Sequence, residues 1–129
     1  MNLIILFIMF FLHIYDDYRA QGILASMKQK KWWKQNAPQP LYEKDYLMAL
    51  FEHAFSWAFT ITIPWVVIAI KDNNITMYCA LIGTYIMNTT FHMIIDDLKA
   101  NQHLINLIQD QCFHFLQILI TWIIFCIIS

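Results

Sequence analysis

The chain alternates long apolar blocks with short polar stretches, and this pattern predicts helices. Membrane β-strands would alternate apolar and polar residues within segments of about ten, and the blocks here are far longer. A membrane-crossing helix needs about 20 largely apolar residues. The spacing predicts an all-α, polytopic membrane protein, a bundle of about four transmembrane helices over 2–27, 44–70, 76–98 and 109–128. Residues 1–129 then form a single integral membrane domain. The first block becomes polar on one side from His13 onward, so its second half is expected in the membrane or at its surface. Pro64 falls inside the second block, which membrane helices tolerate. Residues 71–74 read as a tight polar loop and 99–107 as a short connection.

The first 15 residues resemble the apolar region of a signal peptide. No basic residue precedes them, and His13, Asp16 and Asp17 stand where a small-residue cleavage site should be. The segment is therefore expected to stay in the mature protein.

Composition supports the membrane reading. Apolar residues make up 60% and charged residues 13%, against about 45–50% and about 25% in average soluble domains. A net charge of −1 gives no reason to expect a nucleic-acid partner. Cys79, Cys112 and Cys126 form no even disulfide set and are expected as reduced, buried thiols. Asn74 and Asn88 each begin a glycosylation-type triplet, which says nothing without the host. The run from Lys28 to Lys34, with Trp32 and Trp33 inside it, suits a membrane–water interface. Arg19, Lys28, Lys30, Lys31, Lys34 and Lys44 crowd the first connection, whereas the second holds Lys71 alone. Positive residues favour the cytoplasm. The Lys-rich loop is thus expected inside a bacterial inner membrane, with both termini outside.

Ionisable residues inside a membrane are functional candidates by default. Here they recur at helical spacing. His13 and Asp17 are four apart with Gln21 four further on, His92 and Asp96 four apart with Lys99 three beyond, and Asp110 and His114 four apart. Residues at i and i+4 share one helix face. His53 falls in the corresponding half of the second helix, so four helices are expected to bring these groups to one depth on the cytoplasmic side. Asp16, Asp97 and His103 fall off the stripe and are expected in solvent. Lys99 is expected to reach the surface or Asp96. Cys112 is expected to face elsewhere, and Phe51, Phe55, Phe59, Phe113 and Phe115 to face lipid or pack.

Imidazole and carboxylate together bind first-row divalent metals, zinc foremost, and a catalytic zinc keeps one open position. The expected ligands are Asp17, His92, Asp96, Asp110 and His114. His13 and His53 are the catalytic candidates, as further ligands or proton carriers. Gln21, Lys99 and Gln111 are expected to orient ligands or substrate. The corresponding function is metal-dependent hydrolysis of a lipid or another membrane-embedded substrate, with the bilayer and a second copy of the chain as partners. Two alternatives stay open. The His/Asp pairs can be interhelical glue in a non-enzymatic phage membrane factor acting in superinfection exclusion, lysis timing or host-protein inhibition. They can also relay protons or ions.

These motifs resemble a family of small integral membrane proteins of bacteria and their phages, for which no reaction is settled. Its signature reads HxxxDxxxQ in the first helix, a His in the second, HxxxDxxK after the third and DQxxH opening the fourth. Here these are His13, Asp17 and Gln21; His53; His92, Asp96 and Lys99; and Asp110, Gln111 and His114. The resemblance spans nearly the whole chain and implies the same residue set and a four-helix fold. Family members often carry a second His one turn after the one in the second helix, where this chain has Trp57. The Lys–Trp loop also looks peculiar to this chain.

Overall fold

In the computed structural model, which describes residues 2–129, the chain is all-helical, with no strand among the described residues. Helix α1 spans Asn2–Tyr15, α2 Leu24–Met27, α3 Lys30–Asn36, α4 Asp45–Asp72, α5 Ile75–Ala100 and α6 Leu107–Ile128. The four long helices close a ring: α1 packs on α4 and α6, α4 on α5, and α5 on α6. The result is a helical bundle.

The expected first helix is not continuous. After Tyr15 it widens into one π turn, Asp16–Ala20, and then stops. Gly22 takes a left-handed φ of +52°, which a side-chain-bearing residue adopts only with strain. The chain turns there into α2, which packs on α4. The basic stretch predicted as a loop also contains a helix, α3. By contrast, α4 runs on through Pro64 to Asp72, and only two residues separate it from α5. Asn73 closes α4 in the left-handed conformation at φ 46°. Asn74 then caps α5, its side-chain oxygen accepting the Thr76 amide at 2.9 Å. Asn106 and Gln109 form a reciprocal capping box at the start of α6, with bonds of 3.0 and 2.9 Å. Residues 101–106, between α5 and α6, are not helical.

The interior is divided by depth. Toward the N-terminus of α1 it is apolar, built on Met9, Ile61, Trp65, Ile118 and Phe125, with the Trp65 and Phe125 rings stacked at 4.8 Å. Toward the other end it is polar, and among the described residues buried polar side chains are as numerous as buried apolar ones. Large apolar side chains such as Phe7, Phe11, Val67, Ile86 and Ile127 face outward instead. Cys79 and Cys112 are exposed and Cys126 half-buried, so the thiols are not the core residues expected from the sequence. Two stretches, Pro40–Asp72 and Leu107–Ile128, are long and apolar enough to cross a membrane, and only 28% of the apolar part of the second is buried within the chain.

Candidate metal centre

The helical stripes decide which residues meet. On α5, Thr84, Asn88, His92 and Asp96 repeat every four residues and all are buried. On α6, Asp110, His114, Gln117 and Thr121 do the same at spacings of four, three and four. The π turn brings both Asp16 and Asp17 inward at the end of α1. His53 and Trp57 form the matching pair on α4.

Asp17, His53 and His92 converge, one from each of three elements. His53 Nε2 is 3.0 Å from His92 Nε2 and 3.4 Å from Asp17 Oδ1, and His92 Nε2 is 3.8 Å from the same oxygen. A zinc bound tetrahedrally at about 2.0–2.1 Å would set its ligands about 3.3 Å apart. The triangle already has that size. Asp17 Oδ1 is buried and accepts no hydrogen bond from the described residues, which is costly for a carboxylate unless a cation faces it. The Nδ1 atoms of His53 and His92 also lack partners. In metal sites the second ring nitrogen usually donates to a carboxylate or carbonyl, and the arrangement departs from that rule.

Asp96 links this group to a second one. Its Oδ2 lies 3.3 Å from His53 Nε2 and 3.8 Å from His92 Nε2, and its Oδ1 lies 3.4 Å from His114 Nε2. His114 Nε2 is also 3.4 Å from Asp110 Oδ1. His92, Asp96 and His114 thus make a second buried set of metal-type donors sharing His92 with the first. The rings stack as a column, with Trp57 on His92 at 4.1 Å and His92 on His114 at 4.1 Å. His114 Nδ1 contacts Gln117 Oε1 at 3.1 Å, which fixes its ring.

His13 stands apart from the open positions. The Trp57 indole donates to its Nδ1 at 2.8 Å, so its Nε2 carries the proton and donates to Gln111 Oε1 at 3.0 Å. Both nitrogens are engaged, so His13 offers no lone pair to a metal without breaking one of these bonds. Gln111 passes the order on, its amide donating to Asp110 Oδ2 at 3.1 Å. Gln21 reaches the main-chain oxygen of Asp17 one turn back. Trp57 is therefore an interior part of the cluster. Trp57→Phe should keep the stack but orphan His13 Nδ1. A loss of about 1–3 kcal/mol in unfolding free energy in detergent is expected; no loss would mean the indole bond does not form.

Two lysines complete the set. Lys28 is buried and its Nζ donates to Asp96 Oδ2 at 2.6 Å, instead of lying in a solvated or interfacial loop. Lys99, half-buried, pairs with Asp110 Oδ2 at 2.5 Å and not with Asp96. Asp16, expected in solvent, is buried, and Ser56 and Thr60 of α4 donate to its Oδ1 at 3.3 and 3.1 Å. The π turn is the reason: it shifts the side chains that follow it off the regular stripe. Glu52 and His103 are exposed.

Compared with known proteins, the chain matches no family model, no curated protein and no solved structure.

The charges of the cluster follow from its geometry. Four buried carboxylates, Asp16, Asp17, Asp96 and Asp110, face two ammonium groups, Lys28 and Lys99. With neutral imidazoles and ionised carboxylates the formal sum is −2. A buried net charge of that size is expensive, and two protons or one divalent cation would cancel it. The His/Asp group could hold a metal ion by its donor spacing.

Proposed function

We propose that the chain is a polytopic inner-membrane protein whose bundle binds one divalent cation at Asp17, His53 and His92. The observation that carries this reading is the triangle of converging ligand atoms, 3.0, 3.4 and 3.8 Å on its edges, with Asp17 Oδ1 accepting no hydrogen bond from the described residues. Zinc suits a set of two imidazoles and one carboxylate. Asp96, now held by Lys28, stands at hand beside both imidazoles. Three protein ligands leave a position open, the arrangement of catalytic rather than structural zinc. The membrane reading is supported by two long apolar stretches and by the outward-facing Phe and Ile side chains of α1, α4, α5 and α6. The basic segment before α4 would lie in the cytoplasm and both termini outside.

A divalent cation held there supplies Lewis-acid activation of water or of a carbonyl or phosphoryl oxygen. The proposed reaction class is hydrolysis of a membrane-embedded substrate. His114, set 3.4 Å from both Asp96 and Asp110, is the proton-transfer group, and its Nε2 has no hydrogen-bond partner. Lys99 and Gln111 hold Asp110 in place.

Detergent-purified protein, prepared without chelators, should contain about one equivalent of zinc by elemental analysis. His53→Ala combined with His92→Ala should reduce this at least tenfold. Metal uptake should release protons, because the cation replaces the charge that protons otherwise cancel. Calorimetry in buffers of different ionisation enthalpy reads that number. Metal content below a tenth of an equivalent, with no binding of added zinc, would leave the pairs as interhelical glue. The Lys28–Asp96 and Lys99–Asp110 ion pairs favour that competing reading.

A further inference from the structure

A second polar site lies outside the bundle core, in a groove between α3 and the start of α4. Lys30, Trp33, Lys34, Glu43, Lys44 and Tyr46 line it, and its volume is about 440 Å³, within the about 300–1,000 Å³ of small-ligand pockets. Three ammonium side chains face one carboxylate. Lys34 and Lys44 are exposed and enter no ion pair or side-chain hydrogen bond among the described residues, and Lys30 Nζ sits 4.8 Å over the Tyr46 ring.

The groove is preformed. Asn101, in the turn after α5, holds the backbone on both sides of Gln29: its Oδ1 accepts the Lys30 amide at 2.7 Å and its Nδ2 donates to the Lys28 carbonyl at 3.0 Å. The Trp33 indole donates to the Met27 carbonyl at 2.6 Å, which fixes the wall made by α3. The groove opens beside the N-terminal end of α4, the end at which that long apolar stretch begins.

We propose that this groove binds the phosphate of an anionic glycerophospholipid headgroup at the cytoplasmic face. This rests on the membrane reading above and not on the metal. Lysines supply point charges for phosphate, Trp and Tyr belong at headgroup depth, and a cluster of basic residues beside a membrane helix attracts anionic lipid. The groove thereby fixes where α3 sits against the surface, and through Asn101 and Lys28 it is mechanically joined to the cluster at Asp96.

The test uses the full chain in neutral detergent with dioleoylphosphatidylglycerol, dioleoylphosphatidylcholine or inorganic phosphate, read by native mass spectrometry and unfolding temperature. Phosphatidylglycerol should be retained at least tenfold more than phosphatidylcholine. Lys34→Gln with Lys44→Gln should weaken retention about twentyfold, whereas Lys71→Gln at the opposite end should leave it unchanged. Lys34→Arg with Lys44→Arg, which keeps the charge, should restore it. Equal retention of the two lipids, or unchanged retention in the double glutamine variant, overturns the proposal. Displacement by millimolar inorganic phosphate with no lipid preference would assign the groove to free phosphate and overturn the lipid form. Protein that stays soluble without detergent would instead sink the membrane reading itself.

Discussion

Asp96→Ala is expected to be the most damaging single substitution in the chain. It should remove about 3–5 kcal/mol from a folded state whose total stability is on the order of 5–15 kcal/mol. Asp96 is buried at the meeting point of α4, α5, α6 and the segment after α2, within 3.8 Å of Lys28, His53, His92 and His114. Truncation leaves the Lys28 ammonium buried with no counter-ion and removes the carboxylate that lies within 3.8 Å of three imidazoles. Asp96→Asn keeps the volume and loses only the charge, so its cost should be smaller. Unfolding in detergent, followed by circular dichroism, measures both. A loss below about 1 kcal/mol for Asp96→Ala would mean that these side chains do not meet.

Lys28→Met should cost nearly as much in metal-free protein, because it strands the Asp96 carboxylate instead. Two consequences separate this from ordinary core damage. The double variant Lys28→Met/Asp96→Asn should be more stable than the two single losses added together, since no unpaired charge remains; a coupling of about 1–3 kcal/mol is expected. Excess zinc should raise the unfolding temperature of Lys28→Met more than that of the unaltered protein, because the cluster is then one charge more negative. Equal shifts would show that the cation does not enter beside Asp96.

His13 shows how far a pattern of spacings reaches. Its place four residues before Asp17 puts both on one face, and the structure buries both. The same spacing could not say that Trp57 and Gln111 would take its two nitrogens, since those residues are 44 and 98 positions away. Gln117, Thr121, Asn88 and Thr84 carried a readable signal, for they continue the stripes of α6 and α5 inward at the same three- and four-residue steps. Asp16 carried none. Next to Asp17 it looks off-face in a regular helix, and only the π turn turns both inward.

The sequence alone determined that the chain is helical and which His and Asp residues share a helix face, but neither the break of the first helix after its π turn nor the helix α3. Helicity and shared faces are local: apolar length and i to i+4 spacing act within one segment. The tertiary structure alone decided that Lys28 would serve Asp96 and Lys99 would serve Asp110, and that Trp57 would lie inside the cluster. A lysine's long, flexible side chain can reach several partners from one backbone position. Which carboxylate it meets depends on the turn at Gly22 and on how neighbouring helices are rotated, and no spacing along the chain encodes either.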